Sequence, residues 1–189
     1  MPTDERAERH ILAWLESFVV GLNLCPFARP LMPEPGAPTD NLRIAICWDT
    51  EPEALRHTFL QELDGLQTSS EAEVATILLA FPNALSSFEE FLDFFADAQE
   101  LVELAGLDGL VQLASFHPKY EFAGEGPGAA SHFSNRAPYP IIHLLREDMM
   151  ERALRDFPEP ENIPATNIKT LEKIGVEQLE ARWRELFGW

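Results

Sequence analysis

Two cysteines and fourteen basic residues in a chain of 189 are the scarcities that narrow this sequence first. Cys25 and Cys47 are too few for a disulfide framework, so any cysteine function here is chemical or metal-binding rather than a covalent staple. The 14 Lys and Arg stand against 32 Asp and Glu, a formal net charge of −18. Binding nucleic acid needs clustered cations that neutralise phosphates, and these are scattered; DNA and RNA are not expected as partners. The same acidic field repels an anionic membrane surface. A local cationic pocket is still compatible with that balance. No apolar run reaches the roughly 18 residues that span a bilayer, and the opening "MPTDERAERH" carries both signs of charge, unlike a secretory signal. The expectation is a cytoplasmic protein with no membrane partner.

Local chemical signatures are missing as well. There is no Cys-x-x-Cys, His-Glu-x-x-His or His-x-His spacing to bring two metal ligands together, although Cys25, His117, His132 and His143 are of ligand type. No metal is expected on that ground. "AGEGPG" has glycines without the strand and helix of a dinucleotide or phosphate loop, so no nucleotide is expected and the cofactor stays unassigned.

What the sequence does have is a core. With 46% hydrophobic and 10% aromatic residues, 1–189 reads as a single globular domain. Thr3 or Asp4 caps a helix to about Leu22, with Ile11, Leu12, Trp14, Leu15, Phe18, Val19 and Leu22 on its buried face. The proline-rich "RPLMPEPGAPTDN" is a surface loop. "LRIAICW" is a strand; "TEPEALRHTFLQELDGL" is a helix with a Thr cap and an early proline. "VATILLAF", apolar almost throughout, reads as a strand covered on both faces. "SSFEEFLDFFADAQELVELAG" is a helix opened by a Ser-x-x-Glu capping box and closed by Gly106. "LVQLASF" is a third strand. From His117 to Pro140 there is no clear periodicity, and loops of that length inside a compact domain are usually functional or disordered. "IIHLL" is a fourth strand, with a continuous helix from Ile141 as the competing reading, and Asp148 caps a helix to about Phe157. Two more helices close the chain. The class is α/β, or α+β: a central sheet of about four strands flanked by helices. Helices alternating with the first three strands suggest crossover units, which are right-handed when the strands are parallel, and the fourth strand can return antiparallel.

Chemistry-bearing residues collect at element ends. Cys25 precedes Pro26, so "CPFARPL" makes a short helical turn with Cys25 as its cap; amide N–H groups, with Arg29 one turn on, then favour a thiolate. The alternative is a small apolar plug. Cys47, inside a strand, is packing. His117 ends a strand and precedes Pro118, where α/β proteins place ligands; it is a functional group or a hydrogen-bonded anchor of the loop. Asn135 and Arg136 stand before a proline-fixed turn that presents the guanidinium to a carboxylate or phosphate, or to a salt bridge. His143, amid apolar neighbours, reads as a satisfied core histidine.

Taken together, "GLNLCPFARP", "SFHPKYEFAG", "NRAPYPIIHLLRE" and "NIPATNIKTLEKIG" resemble the bacterial domain of unknown function 1415 family, in the same order and over essentially the whole chain. The sequence departs from that pattern at Ala137, where the family has Ser, and in "GEGPGAASH". The resemblance implies a small cytoplasmic domain, brings no activity, and directs attention to Cys25, His117, Tyr120, Asn135, Arg136 and His143. The expected site is therefore an enzyme cleft in which Cys25 is thiolate or acid, His117 base or orienter, and Arg136 with Asn135 holds a small anionic substrate, Tyr120 lying at the wall and His143 counted among the substrate-binding residues. The alternatives are a non-catalytic small-molecule or metal-binding module in the same cleft, and an interaction domain whose motifs only lock the loop. Either use of the cleft requires Cys25, His117 and Arg136 to converge.

Overall fold

All four apolar runs become strands of one sheet. In the computed structural model, which describes residues 3–32 and 41–188, these are β1 (Leu42–Ile46), β2 (Thr76–Ala80), β3 (Val111–Phe116) and β4 (Ile141–Arg146). "IIHLL" is thus extended and not the start of a helix. Its β-branched pair and its alternation across the sheet favour the pleat. The helices are α1 (Asp4–Trp14), α2 (Pro52–Thr68), α3 (Phe88–Leu104), α4 (Glu147–Arg155), α5 (Ile163–Ile174) and α6 (Val176–Phe187). Most of the proline-rich loop, residues 33–40, lies outside the described residues.

The strand order is β1-β2-β4-β3. β1 and β2 pair in parallel, and β4 runs antiparallel to both β2 and β3. The first three strands therefore point the same way, and β4 inserts between the second and third. Register fixes the layers. Ile77 and Leu79 of β2, with Ile142 and Leu144 of β4, face α2 and α3 through Phe59, Leu63, Phe91 and Phe94. Leu78, Ala80 and Ile141 face the opposite way, toward α1, α5 and α6 through Trp14, Phe18, Leu171 and Leu179. The result is a three-layer sandwich. Every residue of β2 is buried, as its unbroken apolar run requires. Phe18, Phe59 and Phe91 are fully enclosed, each contributing about 1.5–3 kcal/mol by burial of apolar surface.

Helix starts differ from their sequence signals. Thr3 and Ser87 occupy N-cap positions but make no side-chain cap bond, so the expected capping box does not close; α2 is capped by Glu51 rather than Thr50, and α4 by Arg146 rather than Asp148. Arg146 instead spends its guanidinium on the carbonyls of Val74, Leu66 and Ser69, tying β4 to the α2–β2 connection. Gly106 and Gly175 end their helices with φ of +72° and +83°, the backbone region that glycine enters without a Cβ clash.

Candidate functional site

The first helix does not run on regularly to Leu22. After Trp14 it widens into a π-helical turn over Leu15–Val20, a form found mostly as single turns and often beside functional sites. The Val19 carbonyl then accepts N–H groups from both Leu24 (2.8 Å) and Cys25 (3.4 Å). Two residues of "GLNLCP" make this possible. A Cβ on Gly21 would lie 2.5 Å from the Ser17 carbonyl oxygen and 2.7 Å from that of Glu16. Asn23 takes a left-handed φ of +54°, which Asn tolerates better than most residues. The chain turns sharply, buries Leu24 and delivers Cys25 to the core.

Cys25 caps a turn as expected: its thiol receives the backbone N–H groups of Phe27 and Ala28. The expected thiolate does not follow. Burial outweighs those two bonds and raises the thiol above its ordinary value, while Arg29 is exposed. Desolvation penalises the charged form more than two neutral donors repay. Cys47, 3% exposed, is packing, its thiol 3.6 Å from the Thr58 hydroxyl.

Cys25 lines a cavity of about 770 Å³ on the α1 face of the sheet, with Trp14, Leu78, Phe116, Met149 and His143 among its walls. His143 belongs there because β4 alternates and its odd positions face that side. The Thr76 hydroxyl donates to the Leu144 carbonyl (2.8 Å) and lies 2.6 Å from His143 Nε2. Having one proton, already given, Thr76 accepts from Nε2–H; the tautomer is thereby fixed and Nδ1 is the unprotonated nitrogen. No hydrogen bond within the described structure reaches Nδ1. His143 is half-buried and lines the cavity, and burial pushes its pKa down to about 4. His143 is neutral at physiological pH, an acceptor and not a cation.

His117 lies elsewhere. It is fully enclosed, and its ring packs against Phe88 and Phe91 of α3. Nε2 donates to the Leu85 carbonyl (3.0 Å) and Nδ1 accepts the Lys119 N–H (3.0 Å), so both ring nitrogens are used. Burial lowers its pKa. His132 repeats the scheme, accepting from Phe122 N–H and donating to the Gly126 carbonyl. Two imidazoles, each bonded at both ring nitrogens, thus pin the long loop at its start and middle.

The expected three-way convergence does not occur: His117 borders a different cavity from Cys25, and Arg136 lies over the Phe133 ring, Cζ 4.6 Å from its centroid. Its buried Nε has no partner. The sheet is the reason. Phe116 turns its side chain to the α1 face, where it touches Trp14, so the next residue turns to α3. Tyr120 packs against Phe88 and Phe122 with its ring tilted to both. Asn135 donates to the Ser115 carbonyl and accepts His117 N–H on its own, tying the loop back to β3. It shares with Cys25 a second, smaller cavity of about 500 Å³. By shared cavity the structure therefore groups Cys25 with His143 and Cys25 with Asn135, and by backbone hydrogen bonds His117 with Asn135 and Tyr120. Thr76 was missed as His143's partner; its signal was a lone hydroxyl inside the apolar run "VATILLAF". Among the described residues no three His, Cys, Asp or Glu side chains gather closely enough to hold a metal ion, and no helix is long and apolar enough to cross a membrane.

Compared with known proteins, residues 6–181 match the model of one family, described as a protein of unknown function (DUF1415). No curated protein and no solved structure matches the chain.

Proposed function

We propose, for a chain that belongs to the DUF1415 family and takes no activity from that membership, that it binds a neutral, largely apolar small molecule in the cavity holding Cys25 and His143. The observation that carries this reading is the enclosure of about 770 Å³ by mainly apolar walls, in which the one unused ring nitrogen belongs to a neutral imidazole. Sites for small ligands typically enclose about 300–1,000 Å³, with few polar groups to fix orientation. His143 Nδ1 is an acceptor, so the fitting ligand carries a hydroxyl or amide N–H donor. Glu71, at the rim, is paired with Arg152 and adds no unbalanced charge. Nucleophilic chemistry needs a thiolate, and burial of Cys25 works against one; binding is the better-supported of the two uses.

The test is displacement of bound Nile red by 1-decanol and by its methyl ether, which keeps the oxygen but lacks the donor. The alcohol is expected to bind about fivefold more tightly, the worth of one ordinary hydrogen bond. Ala114→Phe, which fills the cavity beside His143, abolishes binding of both. Unsaturable dye uptake, or full binding by the filled variant, refutes the proposal.

A further inference from the structure

The carboxyl ends of β1, β2 and β3 open on one edge of the sheet, and β4 enters from that same edge. In open α/β sheets ligands collect outside the carboxyl ends of strands, where adjacent loops part. Here the segments following β2 and β3 and the approach to β4 part around a cleft of about 460 Å³, to which α1 contributes Arg6 and His10. It is separate from the cavity assigned above and shares none of its lining residues.

The chemistry of this cleft is unlike that of the rest of the molecule. Pro82, Ala84, Pro118, Pro138 and Pro140 give it an apolar, stiff floor. Its basic side chains are Arg6 and Lys119, with the imidazoles of His10 and His117, and among the described residues no Asp or Glu lines it, in a chain with 32 acidic residues against 14 Lys and Arg. Neither Arg6 nor Lys119 forms an ion pair within the described residues. Lys119 Nζ donates to the Ser86 carbonyl at 3.1 Å, which holds the ammonium at the cleft and leaves two of its three protons. The Tyr139 hydroxyl meets His10 Nδ1 at 2.9 Å and braces the α1 wall. At physiological salt, exposed charges farther apart than about 8 Å are largely screened, so acidic residues beyond that reach weigh little on the cleft. Burial lowers the pKa of His10 and raises that of Tyr139, and the Arg6 charge works downward on both, which places it close to the two rings.

We propose that this cleft binds a small organic anion, its oxyanion head taken by Arg6 and Lys119 and its apolar body laid on the proline floor. The two segments "FHPK" and "APYP" then have a shared purpose. His117, through Leu85 and Lys119 N–H, fixes the position of Lys119 and of the loop after β2; the prolines before β4 fix the floor. His117 is a positioning residue for this site.

Isothermal titration of the full chain with phenyl phosphate and with benzoate, and with benzyl alcohol as the neutral counterpart, tests this. Either anion, or both, is expected to bind saturably, the alcohol at least about tenfold more weakly, because charge-assisted hydrogen bonds are worth that much. The double variant Arg6→Gln, Lys119→Gln, whose sites are both exposed, is expected to keep its circular dichroism and lose about tenfold or more in affinity; Arg6→Lys retains most of it. Ala114→Phe leaves anion binding intact, which separates this site from the apolar cavity. Absence of saturable binding by both anions, equal binding of the alcohol, undiminished binding by the double variant, or loss in Ala114→Phe overturns the proposal.

Discussion

Acidification ought to weaken the fold through His143, and by a calculable amount. Its folded-state pKa is depressed to about 4 from an ordinary 6.5 by burial. Between those values the unfolded chain takes up a proton that the native ring refuses, so stability falls as pH falls. The contribution is fully present above about pH 6.5. At 1.36 kcal/mol per unit of pKa, about 2 kcal/mol is gone by about pH 5 and about 3 kcal/mol by about pH 4. Other groups titrate in the same range: His117 has the same sign, whereas protonating carboxylates relieves repulsion in a chain of net charge −18. A variant comparison removes them. His143→Gln keeps a side-chain N–H for Thr76 but does not titrate. Urea unfolding of both proteins at about pH 7, 6, 5 and 4.5 gives a stability difference that should shift in favour of the variant by about 2 kcal/mol between pH 7 and 5. A difference independent of pH would mean that the ring is charged in the fold or hydrated through the cavity, and would refute the neutral-acceptor assignment on which the ligand class rests.

Two further outcomes are expected. Mass spectrometry after iodoacetamide treatment should show Cys25, which is half-buried, reacting faster than the enclosed Cys47. Its rate should stay below that of an unstructured cysteine peptide at neutral pH and rise only at alkaline pH, because burial raises the thiol; a rate above the peptide's would establish a thiolate. Gly21→Ala drives a methyl group to 2.5 Å from the Ser17 carbonyl and should destabilise the protein by about 1–3 kcal/mol, read by urea unfolding; an unchanged midpoint would mean that the π-helical turn relaxes at no cost.

How far the sequence could be read depended on which interactions are local. Element type was legible because periodicity is local: the fully apolar "TILLA" could only sit between two layers, and it does. Strand order was not, since the place of β4 between β2 and β3 depends on how residues 117–140 return, and no periodicity describes that path. The π-helical turn was hidden for a related reason. Its apolar positions satisfy an ordinary helix equally well, and only the close approach of Gly21 to two carbonyls distinguishes the wider turn.

The histidines show where motif reading fails. At a strand end before proline, a catalytic imidazole and a loop anchor have the same sequence neighbourhood. What separates them is whether a ring nitrogen is left over, and that is decided by groups distant in the chain. The Leu85 carbonyl that occupies His117 Nε2 comes from 32 residues away, presented by a residue at φ +57° that nothing in "NALSS" announces. The Thr76 hydroxyl that leaves His143 Nδ1 open comes from 67 residues away. The histidine at the strand end is thus fully bonded, and the one that read as a satisfied core histidine retains an acceptor in a residue that lines a cavity. Partner saturation, rather than position in a motif, is the criterion that moves the candidate site from the end of β3 to the face of β4. It also gives His117 its consequence at the strand ends, where it holds Lys119 while taking no proton itself.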